Sequence, residues 1–243
     1  MATGYNHAVF NGIISPLVAQ VLLVVVLVAA TLFVLRVVTR KRKTVPLTQM
    51  LSALPETEIA ALAEELPQLN TQYRVSAPIT RLVPPAQLPA PPIVEIRLGK
   101  RPVQFTPVDI TRPNVPERYE SAQGKTADAT DVALFALCSL EEGGADAIQN
   151  QIKDFDKVKD APNVVRLVPT QTVAGDYVVI ARVLSHRRDV VSEGVPVIAY
   201  RAEVIKNADT HLVIELAVPD EAQTPFADGT MVHGTARLYG YLP

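Results

Sequence analysis

The sequence predicts a single N-terminal transmembrane helix followed by a soluble α+β domain with a few short helices. The C-terminal part of that domain is predicted to be an antiparallel β meander, as a small barrel or a sandwich. Three observations lead there: an uncharged apolar stretch near the N-terminus, a basic cluster directly after it, and alternating apolar and polar residues after Val164. The expected segments are a short external N-terminus (1–12), the transmembrane helix (13–39), a basic flank with juxtamembrane helices (40–69), an extended proline-rich arm (70–117) and the soluble α+β domain (118–243).

The apolar stretch is long enough to cross a bilayer. Residues 17–35 read LVAQVLLVVVLVAATLFVL and carry no charge. About 20 apolar residues span the hydrocarbon core as a helix, which is the only single-segment structure that satisfies its own backbone hydrogen bonds in lipid. A cleaved signal peptide would place basic residues before the stretch and a small-residue cleavage site after it. Here the basic residues come afterwards, so we expect a retained span.

The basic cluster predicts the orientation of the chain. Residues 1–35 contain no Asp, Glu, Lys or Arg. Because Lys and Arg that flank a span stay on the cytoplasmic side, we expect the N-terminus outside and the domain in the cytoplasm, at the inner membrane in a bacterium. The same side chains should lie at the membrane interface and attract the anionic headgroups of the lipid bilayer. They are Arg36, Arg40, Lys41, Arg42 and Lys43.

The remainder of the chain is acidic. Without those five cations, 18 Lys and Arg stand against 25 Asp and Glu, a balance of −7. Affinity for phosphate backbones comes mostly from Lys and Arg, so we expect no nucleic-acid partner. The single cysteine, Cys138, excludes an intramolecular disulfide. Its apolar surroundings predict a buried thiol on an apolar helix.

Two short helices are predicted within residues 45–69. Apolar residues recur at i, i+3, i+4 and i+7 from Leu47 to Leu54 and again from Ile59 to Leu66. Pro67 ends the second helix. The apolar face of the first helix is compatible with lying on the membrane surface or with packing on the soluble domain, and the sequence leaves both alternatives open.

The proline-rich arm is too apolar for a solvated linker. Ten of the 20 prolines lie between Pro78 and Pro116, yet apolar residues punctuate the whole stretch. Residues 93–98 and 103–110 are predicted as edge strands around a turn at residues 99 and 100. We interpret the arm as a docking element that lies against its own domain or against another subunit. The side chains predicted to dock are Ile93, Ile96, Val103 and Phe105.

Helices and then strands are predicted for the soluble domain. Residues 128–140 and 145–158 resemble helices that Gly143 and Gly144 separate. Alternation predicts strands at residues 164–168, 177–184, 197–205, 212–218 and 231–242, with turns at 192–194 and 206–209.

No motif of the sequence points to a reaction. The four histidines have no metal-ligand spacing, and His186 lies in a predicted solvated turn beside Arg187 and Arg188. Neither a nucleophile elbow nor a glycine-rich phosphate loop occurs. We therefore expect no enzyme, no cofactor and no metal site.

The sequence thus predicts a non-catalytic, single-pass membrane-anchored structural or assembly subunit of a larger membrane complex, such as an energy-transducing one. Its partners would be other integral membrane subunits. This layout is similar to that of the H subunit of photosynthetic reaction centres, an analogy of layout alone. Two alternatives stay open: a membrane-anchored structural protein of a virus or phage with an internal lipid membrane, and an anchored small-molecule sensor or partner-recruiting module.

Overall fold

The computed structural model describes residues 46–83, 90–123, 129–144, 165–170, 173–192, 194–221 and 224–243. They belong to one compact unit, Val45–Pro243. Within these described ranges, no helix is long and apolar enough to cross a membrane. The predicted transmembrane helix, the five basic residues and the predicted helix at 145–158 lie outside the described residues.

The described chain is mostly β-sheet with few helices, which confirms the prediction of a β-rich domain. Its helices are α1 (Leu47–Ser52), α2 (Glu56–Glu65) and α3 (Val115–Ala122). Its strands are β1 (Arg74–Ala77), β2 (Ile79–Val83), β3 (Ile93–Leu98), β4 (Arg101–Pro107), β5 (Thr130–Glu142), β6 (Arg166–Pro169), β7 (Asp176–Val191), β8 (Val195–Lys206), β9 (His211–Pro219) and β10 (Met231–Tyr241).

Five of the strands pair in a closed ring, which we call the barrel. Strands β7, β8 and β9 form the predicted antiparallel meander, since each pairs with the next along the chain. Strand β10 pairs antiparallel with both β7 and β5. The ring closes where β5 runs parallel to β9, with Leu137 opposite Ala217. Every strand of the barrel therefore has a partner on both sides.

The proline-rich region contributes strands to this fold. Strands β3 and β4 form an antiparallel hairpin around the predicted turn, where Gly99 adopts a φ of 59°. Strand β2 pairs with β3, and β4 joins the barrel by a short parallel pairing with β10. Strand β1 pairs antiparallel with the start of β5. Strands β1 to β4 are thus hydrogen-bonded into the domain that they precede.

Two predictions of secondary structure are wrong. The described part of the helix predicted at 128–140 is not helical, because residues 130–140 belong to strand β5. Residues 132–136 are buried on both faces of that strand, so the sequence shows a continuous apolar run without alternation, and periodicity does not distinguish such a strand from a helix. The predicted turn around His186 is also a strand, since β7 continues to Val191, with the exposed His186, Arg188 and Val190 alternating with the half-buried Arg187 and Asp189.

The two predicted juxtamembrane helices are present as α1 and α2, and both pack on the domain. Leu47 and Leu62 are 5% and 2% exposed and belong to the main apolar core. The Glu120 carboxylate of α3 accepts a hydrogen bond from the Thr48 backbone N–H, at 2.7 Å. That carboxylate satisfies a free N–H in the first turn of α1. Of the two alternatives for α1, the structure shows packing on the soluble domain.

Candidate protein-binding surface

The chain between α2 and β1 crosses the outside of the barrel without regular secondary structure. We call residues 66–73 the strap. Its side chains at Leu66, Leu69 and Thr71 are each 3% exposed, so the strap covers the barrel wall and is itself buried against it.

Hydrogen bonds hold the strap along its whole length. The Gln68 N–H donates to Ser192 Oγ at 2.7 Å, and the Ser192 N–H donates back to the Gln68 carbonyl at 3.3 Å. Arg187 donates to the Asn70 carbonyl at 2.9 Å, and the Tyr241 hydroxyl donates to the Thr71 carbonyl at 3.0 Å. Because these bonds satisfy backbone groups of an irregular segment, they fix its course on the barrel.

An apolar groove of about 400 Å³ lies between the end of α2, the start of the strap and the barrel. All five strands of the barrel, β5, β7, β8, β9 and β10, contribute residues at this place. Val195, at the tip of the β7–β8 hairpin, is 53% exposed and is one of three large apolar residues exposed in the described chain. The apolar lining consists mainly of Pro67, Leu137, Val191, Val195, Val197 and Tyr239.

The rim of this groove is acidic. Glu64 and Glu65 line it and are the last two residues of α2, which has no basic residue in its last turn. The C-terminus of a helix itself carries a partial negative charge, which adds to that of the two carboxylates. Two arginines lie close by, but each is paired: Arg237 binds both carboxylate oxygens of Asp176 at 2.7 and 3.0 Å.

The second arginine, Arg188, lies 3.0 Å from a carboxylate oxygen of Asp220, next to the groove residue Pro219. Both guanidinium groups are therefore neutralised locally. Among the described residues that line the groove there is no Lys or Arg. The local charge of the rim is negative.

Cys138 lies at the floor of the groove and is 9% exposed. Its thiol donates to the Ala217 carbonyl at 3.4 Å, and burial raises its pKa well above the ordinary value. The prediction of a buried thiol is confirmed, although Cys138 lies on strand β5 and not on a helix. A protonated, buried thiol is a poor nucleophile, so it acts here as an apolar contact.

A larger cavity of about 510 Å³ lies on the other side of the strap, lined in part by Gln68, Asp109 and Tyr241. Asp109 is 2% exposed, and burial raises the pKa of its carboxyl. Its two oxygens accept hydrogen bonds from the Tyr119 hydroxyl at 3.0 Å and from the Leu242 N–H at 3.2 Å. Contacts within the fold thus occupy this carboxylate, which ties α3 to the C-terminal end of the described chain.

A third, polar cleft surrounds Arg187 under the far end of the strap. Its guanidinium lies 2.8 Å from Asp189 and 3.1 Å from Glu215. Burial raises the pKa of Glu215, with Arg187 opposing that shift. Since Arg187 also holds the Asn70 carbonyl, the cluster secures the strap to strands β7 and β9.

The residues that the sequence predicted to dock on a partner lie elsewhere. Ile96, Val103 and Phe105 are 0%, 2% and 0% exposed and belong to the main core of the domain itself. Ile93 is half-buried at the start of β3. The structure therefore brings three of the four together inside the domain, which is the first of the two alternatives considered for the arm.

Sequence reasoning did not find the groove, because its walls come from distant parts of the chain. Two local signals pointed to it. The last turn of helix α2 contains two glutamates and no basic residue. Valines also precede the turn at residues 192 and 194 and follow it.

In the ranges that the structure describes, no group of His, Cys, Asp and Glu is arranged to hold a metal ion. Comparison with protein families, characterised proteins and solved structures found no match to this chain.

Proposed function

We propose that this chain is a non-catalytic, single-pass membrane-anchored structural subunit of a larger membrane complex. Its domain lies on the cytoplasmic side and docks on other integral subunits. The observation that carries the proposal is the apolar groove with the exposed Val195 at its edge. A concave, mostly apolar groove on a folded domain is a typical place for a ligand or for the side chains of a partner to bind. The apolar stretch at residues 17–35 supports the membrane anchor.

The packing of α1 and α2 favours a structural role over a tethered recruiter. A recruiting module works well on a flexible linker, which lets it search for soluble partners. Here Leu47 and Leu62 are buried in the core, and Glu120 binds the first turn of α1. Helices α1 and α2 are thus part of the folded body. Such an arrangement suits a subunit that must be held in a defined position.

Protease protection tests the membrane topology. Protease added to intact cells or spheroplasts should leave residues 44–243 undigested, because the five basic residues keep that side in the cytoplasm. The same protease added after lysis serves as the control for accessibility. Digestion of the domain in intact cells would show the opposite orientation.

Copurification tests the structural role. After detergent extraction, the chain should be recovered with integral membrane subunits at a fixed ratio. Recovery with a capsid protein would identify a virion component, and recovery without any fixed partner would favour a sensor or recruiting module. Either of these results would overturn the proposal.

A further inference from the structure

We propose that the apolar groove binds a segment of a neighbouring membrane subunit in which apolar residues stand next to lysine or arginine. This inference rests on the proposed function and names the chemistry of the partner at that surface. The floor of the groove offers burial for apolar side chains, and the rim offers negative charge for a cation. The two features lie side by side, so one short segment can satisfy both.

The charge distribution of α2 is the strongest argument for a cationic partner. Glu56 and Glu58 lie in its first turn, where acidic residues stabilise a helix. Glu64 and Glu65 lie in its last turn, where they interact unfavourably with the helix dipole. No salt bridge joins either carboxylate to another described residue, and the two arginines beside the groove, Arg188 and Arg237, are already paired. A local rule that is broken without compensation among the described residues is typical of a functional site, and a bound Lys or Arg would supply that compensation.

The apolar part of the groove favours an apolar side chain of the partner as the second anchor, beside the cation that binds the acidic rim. A volume of about 400 Å³ lies within the range of pockets that bury small ligands or a few side chains. Val191 and Val195 face each other across the β7–β8 hairpin, and Tyr239 stacks on Phe135 at 5.6 Å between ring centroids. Val191, Val197 and Cys138 are 6%, 3% and 9% exposed, so the floor of the groove is already packed and binding does not require the groove to be built first.

Membrane proteins carry segments of this composition beside their spans. Cytoplasmic loops have an excess of Lys and Arg close to the apolar helices that they connect. If the domain lies on the cytoplasmic side, as proposed above, such segments of neighbouring subunits face it. Charge complementarity therefore favours a juxtamembrane segment of another subunit as the occupant.

A tryptophan-containing peptide provides a direct test, because the chain has no tryptophan of its own. The full chain would be placed in nanodiscs of zwitterionic lipid and titrated with the acetylated, amidated peptide KLWLK. Empty nanodiscs give the signal from partition into lipid, and the peptide ELWLE is the charge-reversed control. We expect saturable binding with a blue shift of the indole emission for KLWLK, and binding at least about fivefold weaker for ELWLE, since surface ion pairs contribute up to about 1 kcal/mol each.

Paired variants on one helix separate the groove from general charge. Glu64→Gln with Glu65→Gln should weaken KLWLK binding about fivefold or more, whereas Glu56→Gln with Glu58→Gln, the same change at the other end of α2, should leave it unaltered. Val195→Ser should weaken binding of both peptides. Equal affinities for the two peptides, or equal effects of the two double variants, would overturn the proposal.

Two further results are decisive. If Val195→Ser converts a dimer of the purified chain into a monomer, a second copy is the occupant and the proposal is wrong. If KLWLK fails to bind while the chain still copurifies with integral subunits, the groove inference fails and the structural role stands. If KLWLK binds but no integral subunit copurifies, the proposed function fails and the peptide specificity of the groove stands.

Discussion

The two glutamates at the end of α2 should make the unbound domain less stable than it could be. Replacing Glu64 and Glu65 with Gln removes both charges and leaves helix propensity almost unchanged. A charge at a helix terminus contributes about 0.3–1 kcal/mol at low ionic strength. Both side chains are exposed, so the lower half of that range applies, and the double variant should gain about 0.6–1.2 kcal/mol of unfolding free energy.

Thermal unfolding of the full chain in zwitterionic detergent, followed by far-UV circular dichroism, measures this gain. For a domain of this size, 1 kcal/mol corresponds to roughly 2–4 °C in Tm. We therefore expect Tm to rise by about 1–5 °C at low salt, and the rise to shrink in 1 M NaCl, where charges are screened beyond about 3 Å.

The matched variant, with Gln at Glu56 and Glu58, should change Tm in the opposite direction, because it removes favourable charges from the positive end of the same helix. A loss of Tm in the variant at residues 64 and 65 would show that these glutamates stabilise the isolated domain. That result would refute the proposal that Glu64 and Glu65 destabilise the unbound domain and are compensated only by a bound partner.

Three further predictions follow from the core. Ile96→Ser and Phe105→Ser should each lower the unfolding free energy, measured in urea, by about 2–5 kcal/mol. Ile93→Ser should lower it by much less, because the Ile93 side chain is only half-buried, and equal losses at the three positions would contradict this difference in burial. Cys138 should react slowly with a thiol reagent until urea is added, and Cys138→Ala should cost about 1–2 kcal/mol without loss of fold. Burial raises the pKa of Tyr177 from 10.0 to about 12. Between these two pH values the folded state keeps a proton that the unfolded chain releases, so the unfolding free energy should fall as the pH rises from 10.0 to about 12. Tyr177→Phe should make that fall shallower, and an unchanged slope would exclude the tyrosine as its source.

The strands with one polar face were predictable from the sequence. In β10, the exposed Thr235 and Arg237 alternate with the buried Ala236 and Leu238, so alternation indicates its pleat. The hairpin of β3 and β4 was predictable for a different reason, because Gly99 supplies the positive φ of the turn. These features are local, and short-range patterns contain them.

The barrel closure and the groove were not predictable, because they depend on pairings between distant residues. Residues 132–136 of strand β5 show no alternation, since they are buried on both faces of the strand. Strand β5 also pairs in parallel with β9, with Leu137 opposite Ala217. The two strands are far apart in the sequence, so no turn residues between them indicate the pairing. For the same reason, the sequence left open whether the arm docks on its own domain or on another subunit. Apolar side chains between prolines indicated that something covers them, and only the fold shows that this is their own core.

Native mass spectrometry of the detergent-extracted assembly tests directly whether this chain is a subunit of a larger membrane complex. The full chain would be isolated from its own membranes through two orthogonal purification steps, and the mass of the intact particle would be determined. A structural subunit predicts one dominant particle in which the chain and integral membrane subunits occur in a constant ratio after both steps. A particle that contains only this chain, or this chain with capsid protein, would show that the chain is not a subunit of such a complex.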